Sequence, residues 1–495
     1  MSSDEPFALL HETHSALVLL CGDRAYKMKK PVVTDFLDFG TLARREDACA
    51  RELELNRRLS PDVYLGVGRL TDPTGGPGEP VLVMRRMPDA ARLSAVLADP
   101  DTTGDTLSSL VRMLARFHDG ADRGTGVDRA ATVDALRARW SSLLHGLTDP
   151  PVAPERVRRM RVLVGRYLDG RKPLFDKRIA TDRIVDGHGD LHAGDIFALP
   201  DGFRVLDCLD FDDELRHVDR LDDIAFLAMD LEFLGYSDLA DRLVDEYLAV
   251  TADPAPVSLR HHYIAYRAAV RAKVNCIRHQ QGAEGVAEHA TRHVELALRH
   301  LEAGRIRLAL VGGLPGTGKS TVARALAEQT GAILLSSDHI RAGRRAQGVL
   351  TGPSGSYNSG AYSPAARAQV YAVLRAEAQT LLEAGRSVVL DAAWTDADER
   401  RHAAHTAADT SAELIELCCT APQSVASARI VARSGSESEA SPAIAAAMAA
   451  DQAPWPTAVT LDTTRPLEDT VRTAVHTWNL GMPAPTSRDR PRVRS

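Results

Sequence analysis

A complete phosphate-binding loop occurs in the second half of the chain. Its residues are Gly313, Leu314, Pro315, Gly316, Thr317, Gly318, Lys319 and Ser320. Backbone N–H groups of such a turn, and of the helix that follows it, cradle the phosphates of a nucleotide. We expect Lys319 to reach the terminal phosphates, the Ser320 hydroxyl to bind Mg²⁺, and Thr321 to belong to the same nucleotide-binding segment.

The elements around this loop are those that must position it. The apolar run at 308–311 predicts a strand that leads into the turn, and 319–328 predicts the helix that follows. Strand-like and helical segments then alternate along the rest of the chain. This rhythm predicts an α/β P-loop kinase domain with a parallel sheet covered by helices on both faces.

Two acidic residues follow predicted strands of this half. Asp338 comes after the run 333–336 and could take the proton of an acceptor hydroxyl. Asp391 ends the apolar run that begins at residue 388, which is a usual place for a carboxylate near a metal. A helix N-cap for Asp338 and a loop cap for Asp391 are the alternatives.

Two arginines precede a Ser/Glu-rich segment at 434–441. Arg429 and Arg433 are one helical turn apart, so they share a face. We predict that they act as lid arginines, which exclude water and neutralise the transferring phosphoryl group. An ordinary solvated helix face is the alternative.

A second phosphoryl-transfer signature lies in the first half. It consists of the run His188-Gly189-Asp190-Leu191-His192-Ala193-Gly194-Asp195 and of Val205-Leu206-Asp207. This spacing resembles the catalytic segment of the aminoglycoside phosphotransferase family, His-x-Asp-x-x-x-x-Asn followed by an apolar strand ending in Asp. The resemblance implies that Asp190 orients or deprotonates the acceptor hydroxyl. Asp195 and Asp207 would bind Mg²⁺, which prefers hard oxygen donors.

The chain departs from that family pattern at one metal position. Asp195 stands where the family has Asn, which adds a negative charge beside the phosphates. The segment 218–225 resembles the family's Gly-Asp-Pro-x-x-Asp-Leu-Ala run, with both Asp positions kept and Gly and Pro replaced. The departure leaves open whether the upstream site is active.

The resemblance also assigns a phosphate-binding lysine in a β-rich segment near the start of the chain. Lys27 resembles the lysine that pairs with nucleotide phosphates, and Glu52 resembles the helix glutamate that orients it. Lys29, Lys30 and Glu54 compete for these two roles.

The order of predicted elements divides the chain into dissimilar parts. Short strands followed by long helices predict an N-terminal α+β two-lobed protein-kinase-like fold, and the resemblance implies that it is of the aminoglycoside phosphotransferase type. We place this domain at 1–302, the P-loop domain at 303–485 and a disordered basic tail at 486–495. The segment 280–284 is a second candidate boundary.

Both halves together resemble bacterial fusion proteins described as bifunctional aminoglycoside phosphotransferase-like and AAA-family ATP-binding proteins. The downstream half is similar to zeta-toxin-like, gluconate-kinase-like and polynucleotide-kinase-like P-loop proteins. The resemblance implies ATP and Mg²⁺ as cofactors and two modules, each phosphorylating a hydroxyl of a sugar, aminocyclitol or related metabolite. A nucleotide-gated regulator with a degenerate upstream domain and a zeta-toxin-like sugar-nucleotide kinase are the alternatives.

The composition describes an ordinary globular protein of several domains. The 495 residues are 44% apolar and 26% charged, and the net charge of −7 gives no support for a nucleic-acid or acidic-membrane partner. Six cysteines without a Cys-x-x-Cys pair favour a reducing compartment. No apolar run has transmembrane length, and the start lacks the basic residues of a signal peptide. We expect a cytoplasmic protein whose partner is a small-molecule phosphoacceptor; no oligomeric state is predicted.

Overall fold

In the computed structural model the chain separates into two compact units. The structure describes residues 6–13, 15–33, 38–71, 73–97, 103–147, 150–350, 358, 360, 363–432 and 441–480. The first unit consists of Met1–Arg161, Phe175–Ala255 and Leu259–Glu302, and the second of Val162–Leu174, Pro256–Ser258 and Ala303–Ser495. Two short segments upstream of residue 303 therefore belong to the second unit. The domain ranges predicted above stay predictions.

The first unit opens with a five-stranded antiparallel sheet in the spatial order β1-β2-β3-β5-β4. Its strands are β1 (Ala8–Glu12), β2 (Ala16–Cys21), β3 (Arg24–Lys29), β4 (Tyr64–Leu70) and β5 (Glu79–Arg85). Helix α1 (Leu42–Asn56) packs against β4 and β5. Thr41 caps this helix by accepting a hydrogen bond from the Arg44 N–H, as expected of a threonine at an N-cap. Sheet and helix form a small lobe.

Helices dominate the rest of the first unit. They are α2 (Leu93–Val96), α3 (Thr103–Gly120), α4 (Thr125–Asp128), α5 (Val133–His145), α6 (Pro154–Gly170), α7 (Lys172–Ala180), α8 (Asp213–Arg216), α9 (Arg220–Phe233), α10 (Ser237–Val250), α11 (Val257–Gln280) and α12 (Val286–Ala303). Short strands form two antiparallel pairs between α7 and α9. They are β6 (Ile184–Asp186), β7 (Ile196–Leu199), β8 (Gly202–Val205) and β9 (His217–Asp219).

The second unit contains a parallel five-stranded sheet in the order β11-β12-β10-β13-β14. Its strands are β10 (Arg307–Gly312), β11 (Ile333–Ser336), β12 (Val388–Asp391), β13 (Glu413–Thr420) and β14 (Val459–Asp462). Its helices are α13 (Lys319–Thr330), α14 (Ser337–Ala346), α15 (Pro364–Glu383), α16 (Ala397–Asp409), α17 (Gln423–Val431), α18 (Pro442–Ala450) and α19 (Leu467–Leu480). The fully buried strand β10 lies at the centre, as a near-continuous apolar run does in a parallel sheet.

The segment Val162–Leu174, which belongs to the second unit, packs closely against the main chain at Thr410. The Arg171 guanidinium donates to the Thr410 carbonyl at 2.8 Å. A side chain at Gly170 would place its Cβ 2.0 Å from the same carbonyl oxygen, so only glycine fits there. The Ser258 hydroxyl makes a similar contact by donating to the Gly385 carbonyl at 2.7 Å.

The predicted fold class is confirmed in both halves: a two-lobed α+β kinase-like unit and an α/β P-loop unit. The predicted strand at 308–311 and helix at 319–328 lie within the observed β10 and α13. No helix in the described part of the chain has the length and apolar character needed to cross a membrane.

Candidate active sites

Hydrogen bonds within the phosphate-binding loop of the second unit and from Thr463 hold its main chain in place. The Thr317 hydroxyl donates to the Leu314 carbonyl at 2.8 Å, and the Thr463 hydroxyl donates to the Thr317 carbonyl at 2.8 Å. Gly316 has a φ of 84°, and a Cβ there would lie 2.4 Å from the Ala426 carbonyl oxygen. The turn therefore requires glycine at this position.

Helix α13 begins directly at the end of this turn. Gly318, in the left-handed region with a φ of 81°, is its N-cap, and Lys319 is its first residue. Lys319 is only 8% exposed, whereas Ser320 and Thr321 are exposed at the helix N-terminus. A buried lysine beside the positive end of a helix dipole makes this the place in the unit best suited to an anion.

Asp391 ends strand β12 beside the loop. Its side chain lies near the hydroxyls of Ser320 and Ser336, and its Oδ1 atom is buried without a hydrogen-bond partner. Burial raises the pKa of Asp391, and the charge of Lys319 opposes that rise. An orphaned carboxylate oxygen beside a serine hydroxyl is a donor set that fits Mg²⁺, which keeps most of its waters and needs few protein ligands.

A cavity of about 450 Å³ adjoins the loop. Residues from the loop, α14, α15 and α16 line it, among them Pro315, Lys319, Asp338, Arg341, Tyr371 and Glu399. Ser336, not Asp338, caps α14, because its hydroxyl accepts the Asp338 N–H. The cap alternative for Asp338 is therefore wrong, and its carboxylate instead accepts a hydrogen bond from Arg341 at 2.5 Å inside the cavity.

One of the two predicted lid arginines lies among the described residues, and the role of both stays a prediction. Arg429 lies in α17 and donates to the Thr463 carbonyl at 2.8 Å and to the Thr463 hydroxyl at 3.1 Å. Because Thr463 also bonds the loop residue Thr317, Arg429 is tethered to the phosphate-binding turn. Arg433 lies outside the described residues.

In the first unit, Lys27, Glu52 and Asp207 come together at a second site. Lys27 Nζ is 2.8 Å from Glu52 Oε1 and 2.5 Å from Asp207 Oδ1. Burial disfavours the ammonium form, but the charges of Asp207 and Glu52 raise the pKa of Lys27 well above its usual value. Lys27 thus links the small lobe to a predicted metal ligand 180 residues away in sequence.

Of the competing residues, Lys30 and Glu54 pair elsewhere: Lys30 with Glu12 and Glu54 with Arg51. Lys29, by contrast, shares the site. Its Nζ is 2.7 Å from Glu52 Oε2 and 2.6 Å from Asp210 Oδ2. The pattern around Lys27 did not reveal Asp210, although an acidic residue three positions after the predicted metal ligand Asp207 was a visible signal.

The catalytic segment lies between β6 and β7, where His192 pairs with Asp195 and its charge acts on Asp190 without a direct hydrogen bond. His192 Nε2 is 2.9 Å from Asp195 Oδ2. Burial opposes protonation of His192, but the hydrogen bond and charge of Asp195 raise its pKa to about 9. A protonated His192 would balance the extra negative charge at position 195. Desolvation raises the pKa of Asp190, as suits a proton acceptor.

Asp207 and Asp190 line a single cavity of about 450 Å³ in the first unit. Asp207 lies two residues after the end of β8. Its backbone is in the left-handed region, with a φ of 58°, and its carboxylate is half exposed. The main chain holds Asp195 next to it, since the Leu206 N–H donates to the Asp195 carbonyl at 2.9 Å. The Asp207 carboxylate fits a Mg²⁺ bound mainly by phosphates and water. The Asp195 side chain pairs with His192 and is not part of the cavity lining, and the described residues contain no group of three or more potential ligands.

Asp223 in α9 fixes the backbone of this segment. Its carboxylate accepts the His188 N–H at 2.7 Å, the Gly189 N–H at 2.9 Å and a hydrogen bond with His118 Nε2 at 3.1 Å. Burial favours the neutral acid, but His118 and the His188 N–H hold the pKa of Asp223 far below its usual range. A fully buried carboxylate with three partners is a rigid support for Asp190.

Asp223→Asn is expected to destabilise the first unit by about 3 kcal/mol, because the amide cannot satisfy two N–H groups and His118 together. The lowered pKa of Asp223 determines how its contribution to the free energy of unfolding changes with pH. The stabilisation by Asp223 is complete above the ordinary carboxyl pKa of about 4 and is lost as pH falls below it. Calorimetric unfolding of the full chain between pH 3 and pH 7 measures this, with the exposed Asp241→Asn as the matched control. Equal shifts in both variants would contradict it.

Asp195→Asn is expected to lower the pKa of His192 from about 9 toward its usual value, because the neutral amide removes the charge that holds the imidazolium. Transfer by the first unit should change by less than about tenfold, because an amide oxygen still ligates Mg²⁺. NMR titration of the His192 ring and a transfer assay test this, with Asp201→Asn as the control. A loss of about a hundredfold would mean that the second carboxylate is required.

Comparison with known proteins gives the family. The chain is 48% identical over 479 residues to the protein named "Uncharacterized protein Rv2004c" of Mycobacterium tuberculosis, and the match covers 96% of each chain. "Uncharacterized protein Mb2027c" of Mycobacterium bovis matches equally well. The chain belongs to the family that these mycobacterial proteins represent. Within it, residues 308–454 match a family model described as an AAA domain.

Solved structures are similar to one half or the other. The GDP complex of wild-type aminoglycoside 2'-phosphotransferase-IIIa covers 61% of this chain and 94% of its own, with 14% identity and a TM-score of 0.38. A sugar kinase from Janibacter sp. HTCC2649 covers 35% of this chain and 95% of its own, with 20% identity and a TM-score of 0.29. By its sheets, loop and matched segment, the chain combines an α+β unit of kinase-like fold with an α/β unit that carries a P-loop and matches the AAA domain model.

Proposed function

We propose that this protein is an ATP-dependent phosphotransferase with two separate modules, each acting on a hydroxyl of a small molecule. One observation carries the proposal: each unit has its own mostly buried lysine beside its own carboxylates and its own cavity. Lys27, Glu52 and Asp207 provide these groups in the first unit, and Lys319 and Asp391 provide them in the second. A single active site would not need both sets.

In the upstream module, Asp190 is the proton acceptor. The acceptor oxygen forms a bond to the terminal phosphorus of ATP while the bond from that phosphorus to its bridging oxygen breaks. ADP leaves with the electron pair, and the hydroxyl proton passes to Asp190. Lys27, held by Glu52, binds nucleotide phosphates, and the anchored backbone at Asp223 keeps Asp190 in position.

The downstream module uses the same reaction with different supports. Lys319 and the N-terminus of α13 bind the phosphates, and Asp338 takes the proton of an acceptor in the adjoining cavity. Arg341 orients Asp338 through their ion pair. We propose that Arg429 and Arg433 neutralise the transferring phosphoryl group.

Mg²⁺ is the metal that we propose for both modules. It neutralises phosphate charge when bound, held by Asp195 and Asp207 upstream and by Ser320 and Asp391 downstream. The position of the Asp207 carboxylate and the orphaned Asp391 oxygen support this assignment.

A metabolite-library screen with labelled ATP tests the proposal. The wild-type chain, Asp190→Asn, Lys319→Ala and the double variant are compared for transfer to each acceptor. Two separate sets of lost products, with an inert double variant, would support two kinases. Loss of every product with Lys319→Ala alone would instead favour a nucleotide-gated machine. No effect of Asp190→Asn on any acceptor would show that the first unit is a binding domain.

A further inference from the structure

The charges lining the upstream cavity are unevenly distributed. One side carries Lys27, Lys29, Glu52, Asp207 and Asp210, which pair with each other. Apart from this set, the charged residues of the described lining are Asp190 and four arginines. These arginines are Arg139, Arg267, Arg271 and Arg278. The part of the cavity next to the proton acceptor is therefore basic.

Helix α11 supplies most of this basic wall. Arg267, Arg271, Val274 and Arg278 follow each other at intervals of four, three and four residues, which places them on one face of a helix. Val270 belongs to the same face and also lines the cavity. The exposed side of this wall thus alternates guanidinium groups with small apolar side chains.

The four arginines differ in their hydrogen-bond and ion-pair partners. Arg267 makes a two-pronged ion pair with Asp222, at 2.7 Å and 2.9 Å. Arg139 donates to main-chain carbonyls of Glu214 and His217. Within the described part of the chain, the Arg271 side chain has no hydrogen-bond or ion-pair partner, although it is only partly exposed.

Arg271 lies close to the reacting centre. Desolvation raises the pKa of Asp190, and the positive charges of His192 and Arg271 oppose that rise. A guanidinium that has no hydrogen-bond or ion-pair partner among the described residues, and that lines the cavity near the proton acceptor, is suited to bind an anionic group of a ligand. The acceptor must place its hydroxyl at Asp190, so we expect it to be the ligand that brings this anion.

We propose that the acceptor of the upstream module carries an oxyanion, a phosphate or a carboxylate, which Arg271 binds while Asp190 holds the hydroxyl to be phosphorylated. This inference rests on the proposed kinase activity of the first unit and adds the class of its substrate. Arg139 and Arg278 complete a basic rim, and Val270 and Val274 contact the apolar part of the acceptor. A polycationic acceptor would meet like charges here.

Binding to the full chain carrying Lys319→Ala tests this, since nucleotide binding then reports the first unit alone. The chain is saturated with AMP-PNP and Mg²⁺ and titrated calorimetrically with glucose, glucose 6-phosphate, gluconate, glycerol, glycerol 3-phosphate and kanamycin. An anionic member should bind at least about tenfold more tightly than its neutral partner, and kanamycin should not bind. The phosphate and carboxylate arms identify which oxyanion is preferred.

Arg271→Gln should abolish that preference and leave AMP-PNP affinity unchanged. Arg260→Gln is the matched control, because Arg260 lies on the same helix but pairs with Asp241 and Asp245 away from the cavity. Lack of any anionic preference, or its survival in Arg271→Gln, would overturn the inference. So would a selective loss of AMP-PNP affinity in that variant, which would assign Arg271 to the nucleotide. Failure of AMP-PNP to bind at all would contradict the proposed function and this inference with it.

Discussion

Lys319→Ala should reduce ATP turnover by the second unit by roughly a hundredfold or more, with the fold intact. Lys319 is the buried first residue of α13, next to the carboxylate of Asp391. Removing its charge takes away the cation that the terminal phosphates would meet and leaves Asp391 to repel them. The loop itself should keep its shape, because Thr317 and Thr463 hold it through main-chain carbonyls.

The measurement is made in an Asp190→Asn background, so that the remaining turnover belongs to the second unit. Nucleotide affinity is determined by titration, and circular dichroism checks the fold. Arg324→Ala, an exposed change on the same helix, is the control and should leave turnover unaltered. Unchanged affinity and turnover in Lys319→Ala would show that the loop does not bind a nucleotide.

The second large effect concerns the first unit. Asp190→Asn should lower its transfer rate by roughly a hundredfold or more and leave nucleotide binding intact, because the amide cannot accept a proton. Wild-type transfer should also rise with pH as Asp190 loses its proton, at a pH above the usual carboxyl range since desolvation raises its pKa. That rise should be absent from Asp190→Asn.

Transfer is assayed in the Lys319→Ala background with an acceptor from the metabolite screen. Asp238→Asn, an exposed position in the first turn of α10, is the matched control. A variant that retains its rate and its pH profile would remove Asp190 from the chemical step.

Sequence alone sufficed for elements defined by local patterns. The phosphate-binding loop was predictable because its residue spacing and the apolar run of β10 before it both indicate a strand that leads into a phosphate-binding turn. Strand β4 was not predicted, because Gly66 and Gly68 weaken its strand signal and it lies at the sheet edge. Strand β1 was not predicted either. All its residues are exposed, and its sequence lacks the alternation of apolar and polar residues that indicates a half-buried strand.

The upstream site shows what local patterns cannot decide. Lys27 and Lys29 lie on the same strand, and only the folded chain shows that Lys27 contacts Asp207 while Lys29 contacts Asp210. These contacts join residues about 180 positions apart, a separation that no spacing rule covers. The basic wall around Arg271 was in principle visible as a helical repeat, but nothing in the sequence placed that repeat beside Asp190.

The close approach of Gly170 to Thr410 bears on any attempt to study the halves apart. A fragment that starts at residue 303 would lose the Arg171 donor of the Thr410 carbonyl and the Ser258 donor of the Gly385 carbonyl. Water could replace a lost donor only where it reaches the carbonyl, and a carbonyl that stays buried without a donor destabilises the fold. A fragment cut at residue 302 would therefore carry two main-chain carbonyls without their native donors. Low stability or low solubility of this fragment would then result from the cut and would say nothing about the activity of the second unit. A peptide spanning 162–174, added in trans, is the natural means of repair.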